Sequence, residues 1–310
     1  MLFDRKYDIQ IMAKLTTVNG DIIPVVGLGT YPFQGREMAD VVKTALKVGY
    51  RLIDTSDDYR GESGIGLAVD ELSEIGLKRE DVFLQTKITD DDSYDAEPLA
   101  GLYFNKYSHF MKRHTVEEVV REKVEKSLYE MHTDYVDSLL IHQPYPDYFE
   151  EIWDVFIKLK KEGKTRYIGV SNFYERHLKQ LINSEEKPQI NQIYISPIGT
   201  KKQDVDYCNK EGIQLMTYSP LIDIRTRRIP AGATFFNEMQ EKYGKSLVQI
   251  VLRWNVERGS IPLARSRNAG RLKENFDIMD FSLTKEEIER ISVMNRDFQY
   301  LPTSRICPGF

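Results

Sequence analysis

Eight short apolar runs alternate with segments of helical periodicity, and this alternation constrains the fold more than any other feature of the chain. Alternating strand and helix signals predict parallel βα units joined by right-handed crossovers. Eight such units without a clear linker favour a closed (β/α)8 TIM barrel, formed as one domain over residues 1–310. The runs cover residues 24–28, 51–54, 82–87, 136–142, 167–170, 190–195, 213–218 and 260–263.

Turn and capping residues indicate where several elements begin. Asn19-Gly20 predicts an N-terminal β-hairpin between residues 16–18 and 22–24. Thr115, Ser246 and Thr284 each precede a Glu or Gln by three residues. This spacing is a capping box and predicts the start of a helix. Because Met12 could be an internal start, residues 1–11 are interpreted as a dispensable extension.

A doubly wound sheet is the main alternative to the barrel. Such a sheet usually carries a G-x-G-x-x-G turn after its first strand. The sequence Gly27-Leu28-Gly29 does not continue in that way. The next glycines, at positions 61, 64 and 66, come in the wrong order and within a predicted helix. The closed barrel is therefore the preferred interpretation.

Composition argues against several classes of protein. The net charge of −5 does not favour a nucleic-acid surface. No apolar stretch approaches the roughly 20 residues that span a membrane, so no membrane association is expected. Cys208 and Cys307 are interpreted as reduced, structural thiols, which suggests a cytoplasmic protein. No metal site is expected, because the histidines other than His142 lack ligand spacing.

Two long segments interrupt the alternation, at residues 90–114 and 221–244. Segments of this length usually act as lids or binding loops, and both are expected over the C-terminal face of the barrel. The aromatic residues of the first could line a roof over a pocket or equally anchor the segment to the barrel. These residues are Tyr94, Tyr103, Phe104, Tyr107 and Phe110.

Four reactive side chains are expected to meet at the C-terminal ends of the strands, where barrel enzymes carry their chemistry. Asp54, Lys87 and His142 each end an apolar run. Tyr59 follows five residues after the first of them. A free phenol has a pKa of about 10, and a nearby ammonium lowers it. The set suits proton transfer from Tyr59 to a carbonyl that receives a hydride. In isolation, Lys87 could equally be a solvated lysine and His142 a core histidine.

The motifs around these residues resemble those of the aldo-keto reductase superfamily, which includes 2,5-diketo-gluconate reductases and aldose reductases. Residues 51–62, RLIDTSDDYRGE, resemble the family signature around its Asp and Tyr. Residues 167–173, YIGVSNF, form a near-complete family motif. Further matches in the expected order are GLGT at 27–30, TK at 86–87, LIH at 140–142, NQI at 191–193 and TYSPL at 217–221. The resemblance runs from about residue 14 to residue 295.

This resemblance implies a barrel that binds NADPH across its C-terminal face and reduces a carbonyl group. Tyr59 would be the general acid of a tetrad with Asp54, Lys87 and His142. The family default of a monomer is also implied. Tyr218 would stack on the nicotinamide, and Ser171, Asn172 and Gln192 would hold its carboxamide. The other residues implied to bind the cofactor are Gly29, Thr30, Ser219, Pro220, Leu221, Arg265, Ser266, Arg271, Glu274 and Asn275.

The chain departs from the family pattern near the expected site of the adenosine phosphate. Leu263 stands after Pro262, where the family often has a lysine that contacts the 2′-phosphate. Arg265 or Arg267 could replace that lysine, because arginine suits a phosphate through its planar fork. Both could also be merely solvated. NADPH is expected ahead of NADH.

The expected substrate pocket also departs from the pattern. Tyr31 and Gln143 occupy positions at which many relatives carry tryptophan. Both are predicted to face the substrate, which implies a less aromatic and more polar pocket.

Three functions are compatible with a barrel of this kind. The first is NAD(P)H-dependent reduction of an aldehyde, ketone or keto-sugar. The second is a cofactor-binding sensor or partner subunit with little turnover. The third is an unrelated barrel such as a sugar-phosphate lyase or isomerase, which would carry a glycine-rich phosphate loop after its seventh or eighth strand. Because the four reactive residues are intact and Ser219-Pro220-Leu221 does not resemble such a loop, the first is preferred.

Overall fold

A computed structural model describes residues 23–89, 115–145, 148–229, 234–302 and 306. Eight parallel strands close into a barrel in which each strand pairs with its neighbours in chain order and β8 pairs with β1. The strands are β1 Gly27–Gly29, β2 Leu52–Asp54, β3 Phe83–Ile88, β4 Val136–Ile141, β5 Thr165–Ser171, β6 Ile190–Tyr194, β7 Gln214–Tyr218 and β8 Ser260–Ala264. The predicted (β/α)8 TIM barrel is therefore confirmed, and every predicted apolar run overlaps one strand.

Helices connect the strands and cover the outside of the barrel. They are α1 Gly35–Val48, α2 Glu62–Asp70, α3 Val116–Glu130, α4 Phe149–Lys161, α5 Glu175–Leu181, α6 Lys202–Glu211, α7 Ile222–Arg225, α8 Thr234–Tyr243, α9 Leu247–Glu257, α10 Ala269–Phe276 and α11 Lys285–Ser292. Short 3-10 helices span Asp57–Tyr59, Leu72–Ile75 and Arg79–Asp81. No helix in the described part of the chain is long and apolar enough to cross a membrane.

The three predicted capping boxes are present. Thr115, Ser246 and Thr284 each accept a hydrogen bond from a backbone N–H three residues later. The side chain three residues later accepts a hydrogen bond from the backbone N–H of the capping residue. These bonds satisfy amide groups that have no partner within the first turn of a helix, which is why the sequence signal is reliable.

Side chains that point into the barrel form an inner core, distinct from the larger core between the strands and the helices. Its members are Ile23, Leu52, Phe83, Leu140, Tyr167, Ile190, Met216, Ile261 and Leu263. Gly27 makes room for two of them. A methyl group on Gly27 would lie 2.4 Å from Leu263 Cδ2 and 2.5 Å from Leu52 Cδ2. Leu263 therefore fills the barrel interior, at the position where the family often has a lysine that contacts the 2′-phosphate.

The predicted loop at residues 221–244 is partly wrong. Within its described residues the chain forms α7 and α8, and Phe236 and Met239 on α8 are buried. Burial of these side chains in the larger core, where α8 packs against α9, stabilises α8 as a packed helix. The predicted 90–114 insertion and the N-terminal extension lie outside the described residues, as does nearly all of the predicted hairpin.

Candidate active site

A buried ion pair forms the base of the site. Asp54 ends β2, and Lys87 lies near the end of β3. The Nζ of Lys87 lies 2.8 Å from Asp54 Oδ1 and donates a second bond of 2.7 Å to the carbonyl of Thr55. The Lys87 side chain is 0% exposed. Because a buried ammonium without a partner is costly, this pairing holds Lys87 in one position.

Two glutamines surround the carboxylate of Asp54. Gln85 and Gln192 donate from Nε2 to the same Oδ1 atom, over 2.7 and 2.8 Å. Gln85 in turn accepts a 2.5 Å bond from the hydroxyl of Ser138. Gln85 lies beside Asp54 because residues 52–54 pair in register with residues 83–85. The orientation of Asp54 is thus fixed by three donors from strands β3 and β6.

The Tyr59 ring lies above Lys87. Tyr59 ends the 3-10 helix Asp57–Tyr59, and the Lys87 Nζ is 5.0 Å from its ring centroid. The ring of His142 meets Tyr59 edge-on, with centroids 5.8 Å apart. The ring of Tyr31 contacts it from another side at 5.2 Å. The structure therefore brings together all four predicted catalytic side chains, with Tyr31 beside them.

His142 is tied to the neighbouring loops through its backbone and its ring. The Asn172 side chain donates a 3.0 Å hydrogen bond to the His142 carbonyl. The hydroxyl of Ser56 lies 3.0 Å from Nδ1 of the ring. Gln143, which follows in the chain, is half-buried, and its carbonyl accepts a bond from the Tyr145 amide.

Hydroxyl and amide groups cluster at the ends of β5 to β7. Ser171 donates to the Gln192 carbonyl over 2.9 Å, and Tyr218 OH donates to Asn172 Oδ1 over 3.0 Å. Asn172 and Ser219 adopt left-handed backbone conformations, with φ of 62° and 50°. Non-glycine residues rarely do so, and such residues concentrate at functional sites. The residues predicted to hold the nicotinamide carboxamide and the tyrosine predicted to stack on its ring are thus connected by hydrogen bonds.

The remaining predicted cofactor residues outside the arginine-rich segment occupy three regions. Gly29 ends β1, and Thr30 follows it and donates a 2.8 Å bond from its hydroxyl to the Asp54 carbonyl. Pro220 and Leu221 lie between Ser219, which follows β7, and the start of α7. Glu274 and Asn275 lie in α10, where Glu274 accepts a 2.6 Å bond from Ser246 and Asn275 is buried.

Arginines lie between β8 and α10. Arg265 donates to the Tyr31 carbonyl, and its guanidinium lies 5.8 Å from the Tyr31 ring centroid. Burial, reinforced by the like charge of Arg225, lowers the pKa of Arg265. Arg267, whose side chain is 77% exposed, pairs with Glu37 over 3.2 Å. Arg271 is exposed in the first turn of α10, and the Ser266 hydroxyl accepts a bond from the Asn268 amide. An anion at this cluster would offset repulsion between the cations.

Sequence reasoning missed several residues that support the site. Ser56 contacts His142 directly, and Gln85 contacts Asp54. Glu62 is buried behind β3, where it accepts a 2.6 Å bond from Thr86. Ser56 and Glu62 lie within the motif at residues 51–62. For Gln85, the one available signal was a polar residue inside a predicted buried strand.

Comparison with known proteins defines the class. The Aldo/keto reductase family profile matches residues 25–296, so the chain belongs to the aldo/keto reductase family. It is an NADP-dependent oxidoreductase that acts on carbonyl groups. The predicted family and enzyme class are confirmed.

Particular relatives cover nearly the whole chain. It is 36% identical over 285 residues to the glyoxal reductase of Bacillus subtilis, covering 90% of this chain and 91% of the relative. It is 33% identical to the Escherichia coli methylglyoxal reductase DkgA, covering 90% and 92%. A Bombyx mori aldo-keto reductase in complex with NADP shares 30% identity and a TM-score of 0.80, covering 94% and 95%. An aldo-keto reductase complexed with NADPH shares 26% identity and a TM-score of 0.82, covering 96% and 92%. These bound nucleotides agree with the predicted cofactor.

Proposed function

We propose that the protein reduces small aldehydes, ketones or keto-sugars to alcohols, with Tyr59 as the general acid. The observation that carries this proposal is the buried Asp54–Lys87 ion pair beneath the Tyr59 ring, with His142 beside it. This arrangement places one proton donor between a fixed positive charge and a second polar ring. It lies at the C-terminal face, where barrel enzymes act.

The proton chemistry follows from the charges. NADPH, when bound, supplies the hydride that reduces the carbonyl carbon. The carbonyl oxygen then gains negative charge and needs a proton, which Tyr59 donates. An adjacent positive charge favours the ionised form of an acid, so Lys87 assists Tyr59 in giving up its proton. Asp54 keeps Lys87 charged and in place, while His142 donates a hydrogen bond to the substrate oxygen.

The residues present fit this cofactor. Ser171, Asn172 and Gln192 offer the hydroxyl and amide groups that a carboxamide requires, and they already bond to one another or to the tetrad. Tyr218 is partly exposed and held by Asn172, which suits a ring that stacks on nicotinamide. Arg265, Ser266 and Arg271 supply donors for phosphates at the other end.

The substrate class is inferred from the relatives and from the mouth of the site. Glyoxal and methylglyoxal reductases are among the similar proteins. Tyr31 lies against Tyr59, and Gln143 follows His142, so both are proposed to contact the substrate. A small dicarbonyl carries a second oxygen that the Gln143 amide could bind. We therefore place small α-dicarbonyls first among the candidate substrates.

The test follows NADPH absorbance with glyoxal, methylglyoxal, simple ketones and keto-sugars. We expect turnover by the wild-type chain and its loss by a factor of about 10² or more in Tyr59→Phe. Tyr129→Phe is the matched control, because Tyr129 is 83% exposed on α3. Unchanged turnover in Tyr59→Phe would exclude it as the acid. Tight NADPH binding without turnover of any substrate would instead support a sensor.

A further inference from the structure

The hydroxyl of Ser56 connects His142 to the loops that surround it. Ser56 follows β2 and is fully buried. Its Oγ lies 3.0 Å from His142 Nδ1, 3.3 Å from the Lys87 carbonyl and 3.3 Å from Asp57 Oδ1. The hydroxyl has one hydrogen to donate, so only one of these three groups can receive it.

The other contacts of Asp57 indicate which group receives that hydrogen. Asp57 already accepts bonds from the Thr89 amide and hydroxyl, at 3.2 and 2.8 Å to Oδ1. Lys123 Nζ lies 3.4 Å from its Oδ2. Its carboxylate is therefore satisfied without Ser56. The Nδ1 of His142 is also the nearest of the three partners, at 3.0 Å against 3.3 Å for the other two.

We propose that Ser56 is a positioning residue that donates to Nδ1 of His142. In a neutral imidazole, the nitrogen that accepts a bond lacks a proton, and the other carries it. Ser56 would therefore keep the proton on Nε2, where it can be donated to the substrate oxygen. It would also fix the angle of the ring against Tyr59. This inference rests on the proposed function, in which His142 donates that bond.

The first test compares Ser56→Ala with wild type in the reduction of the best carbonyl substrate. Loss of one hydrogen bond should lower kcat about three- to tenfold with little change in KM. Ser56→Thr keeps the hydroxyl and should restore most of the loss. Ser260→Ala is the matched control, because Ser260 is a buried barrel serine bonded to Thr217, away from the tetrad. It should leave kcat unchanged.

A double-variant comparison separates positioning from general structural damage. If Ser56 acts through the imidazole, Ser56→Ala should have no further effect on kcat in a His142→Ala background. An equal loss in both backgrounds would overturn the proposal. So would an unchanged kcat in the single variant.

The tautomer can be measured without turnover. The chain has five histidines, so 15N-histidine NMR of the intact protein can assign the His142 signals by their loss in His142→Ala. At a pH at which the ring is neutral, we expect the proton on Nε2 in wild type and a shift toward Nδ1 protonation in Ser56→Ala. A proton on Nδ1 in wild type would overturn the inference. This measurement therefore tests the hydrogen bond from Ser56 to His142 even if the protein reduces no carbonyl substrate.

Discussion

Three polar side chains of the site converge on the carboxylate of Asp54. One oxygen accepts from Lys87, Gln85 and Gln192. Asp54→Asn would remove the charge that compensates buried Lys87. Breaking one side of a buried pair typically costs about 3–5 kcal/mol. We therefore expect the free energy of unfolding in urea to fall by about that amount.

A double variant that removes both charges of the ion pair provides the comparison. Asp54→Asn combined with Lys87→Met should recover part of the lost stability, because no buried charge is left unpaired. Asp154→Asn, at an exposed position in α4, controls for the chemical change and should have little effect. Equal stabilities of Asp54→Asn and wild type would contradict the role assigned to the ion pair.

Glu62 should make stability depend on pH. Burial raises its pKa from 4.5 to about 7, although the bond from Thr86 partly opposes this shift. The folded protein therefore holds this proton more tightly than the unfolded chain. The stability that the protonated group contributes is complete below pH 4.5 and is lost as pH rises to about 7.

Glu62→Gln removes this titration while keeping an oxygen that can accept from Thr86. We expect the variant to exceed wild type in free energy of unfolding at pH 8, on the order of 3 kcal/mol. The difference should vanish near pH 4. Urea denaturation of both proteins at the two pH values measures it. A difference that does not change with pH would show that Glu62 does not titrate in this way.

At the residue scale, the grouping of Asp54, Tyr59, Lys87 and His142 was predictable, but the residues that support them were not. Asp54, Lys87 and His142 were visible because each ends an apolar run, and parallel strands end on one face. The roles of Gln85 and Ser56 depend on strand register and on side-chain distances across loops. Neither quantity can be obtained from spacing along the chain.

At the scale of elements, the glycines of α2 serve close packing. A methyl group on Gly66 would lie 2.2 Å from the Glu130 carbonyl oxygen at the end of α3. Gly→Ala within a helix normally stabilises by up to about 1 kcal/mol. At Gly66 we expect the opposite sign, with a loss of about 1–3 kcal/mol from overpacking against backbone.

Thermal unfolding of Gly66→Ala measures this effect. Ser63→Ala is the control, since Ser63 is exposed on the same helix and should be neutral or slightly stabilising. A stabilised Gly66→Ala would mean that α2 and α3 can separate at little cost.

The elements themselves were predicted unequally well. The strands and capped helices follow from local periodicity and from side-chain bonds to the backbone within one turn. Residues 221–244 were misjudged because α8 has no such cap among its described residues and depends on burial of Phe236 and Met239. Tertiary packing of this kind has no local signal.

At the scale of the whole molecule, the C-terminal face divides into an end that holds the buried ion pair and a basic end. The ion pair and the rings lie around β2 to β4, while the arginines follow β8. Leu263 fills the barrel interior, so the cation that the family often places after this proline must come from elsewhere in the chain. One extended nucleotide that spanned both ends would meet uncharged donors at β5 to β7 and cations beyond β8.

This division predicts that Arg271 distinguishes NADPH from NADH. A ligand that binds only the folded state stabilises it by about 2.7 kcal/mol at 100 times its Kd. NADPH should therefore raise the Tm of wild type. Loss of a charge-assisted bond to the 2′-phosphate in Arg271→Ala should cost about 1.5–3 kcal/mol, or roughly tenfold or more in Kd. The NADH Kd should stay unchanged, since NADH lacks that phosphate.

Arg290→Ala, which removes an exposed arginine on α11, is the control for lost surface charge. Cofactor titrations and melting curves on the same samples provide both quantities. Equal weakening of NADPH and NADH would place Arg271 at a part of the nucleotide that both share, and the 2′-phosphate contact would then belong to Arg265 or Arg267.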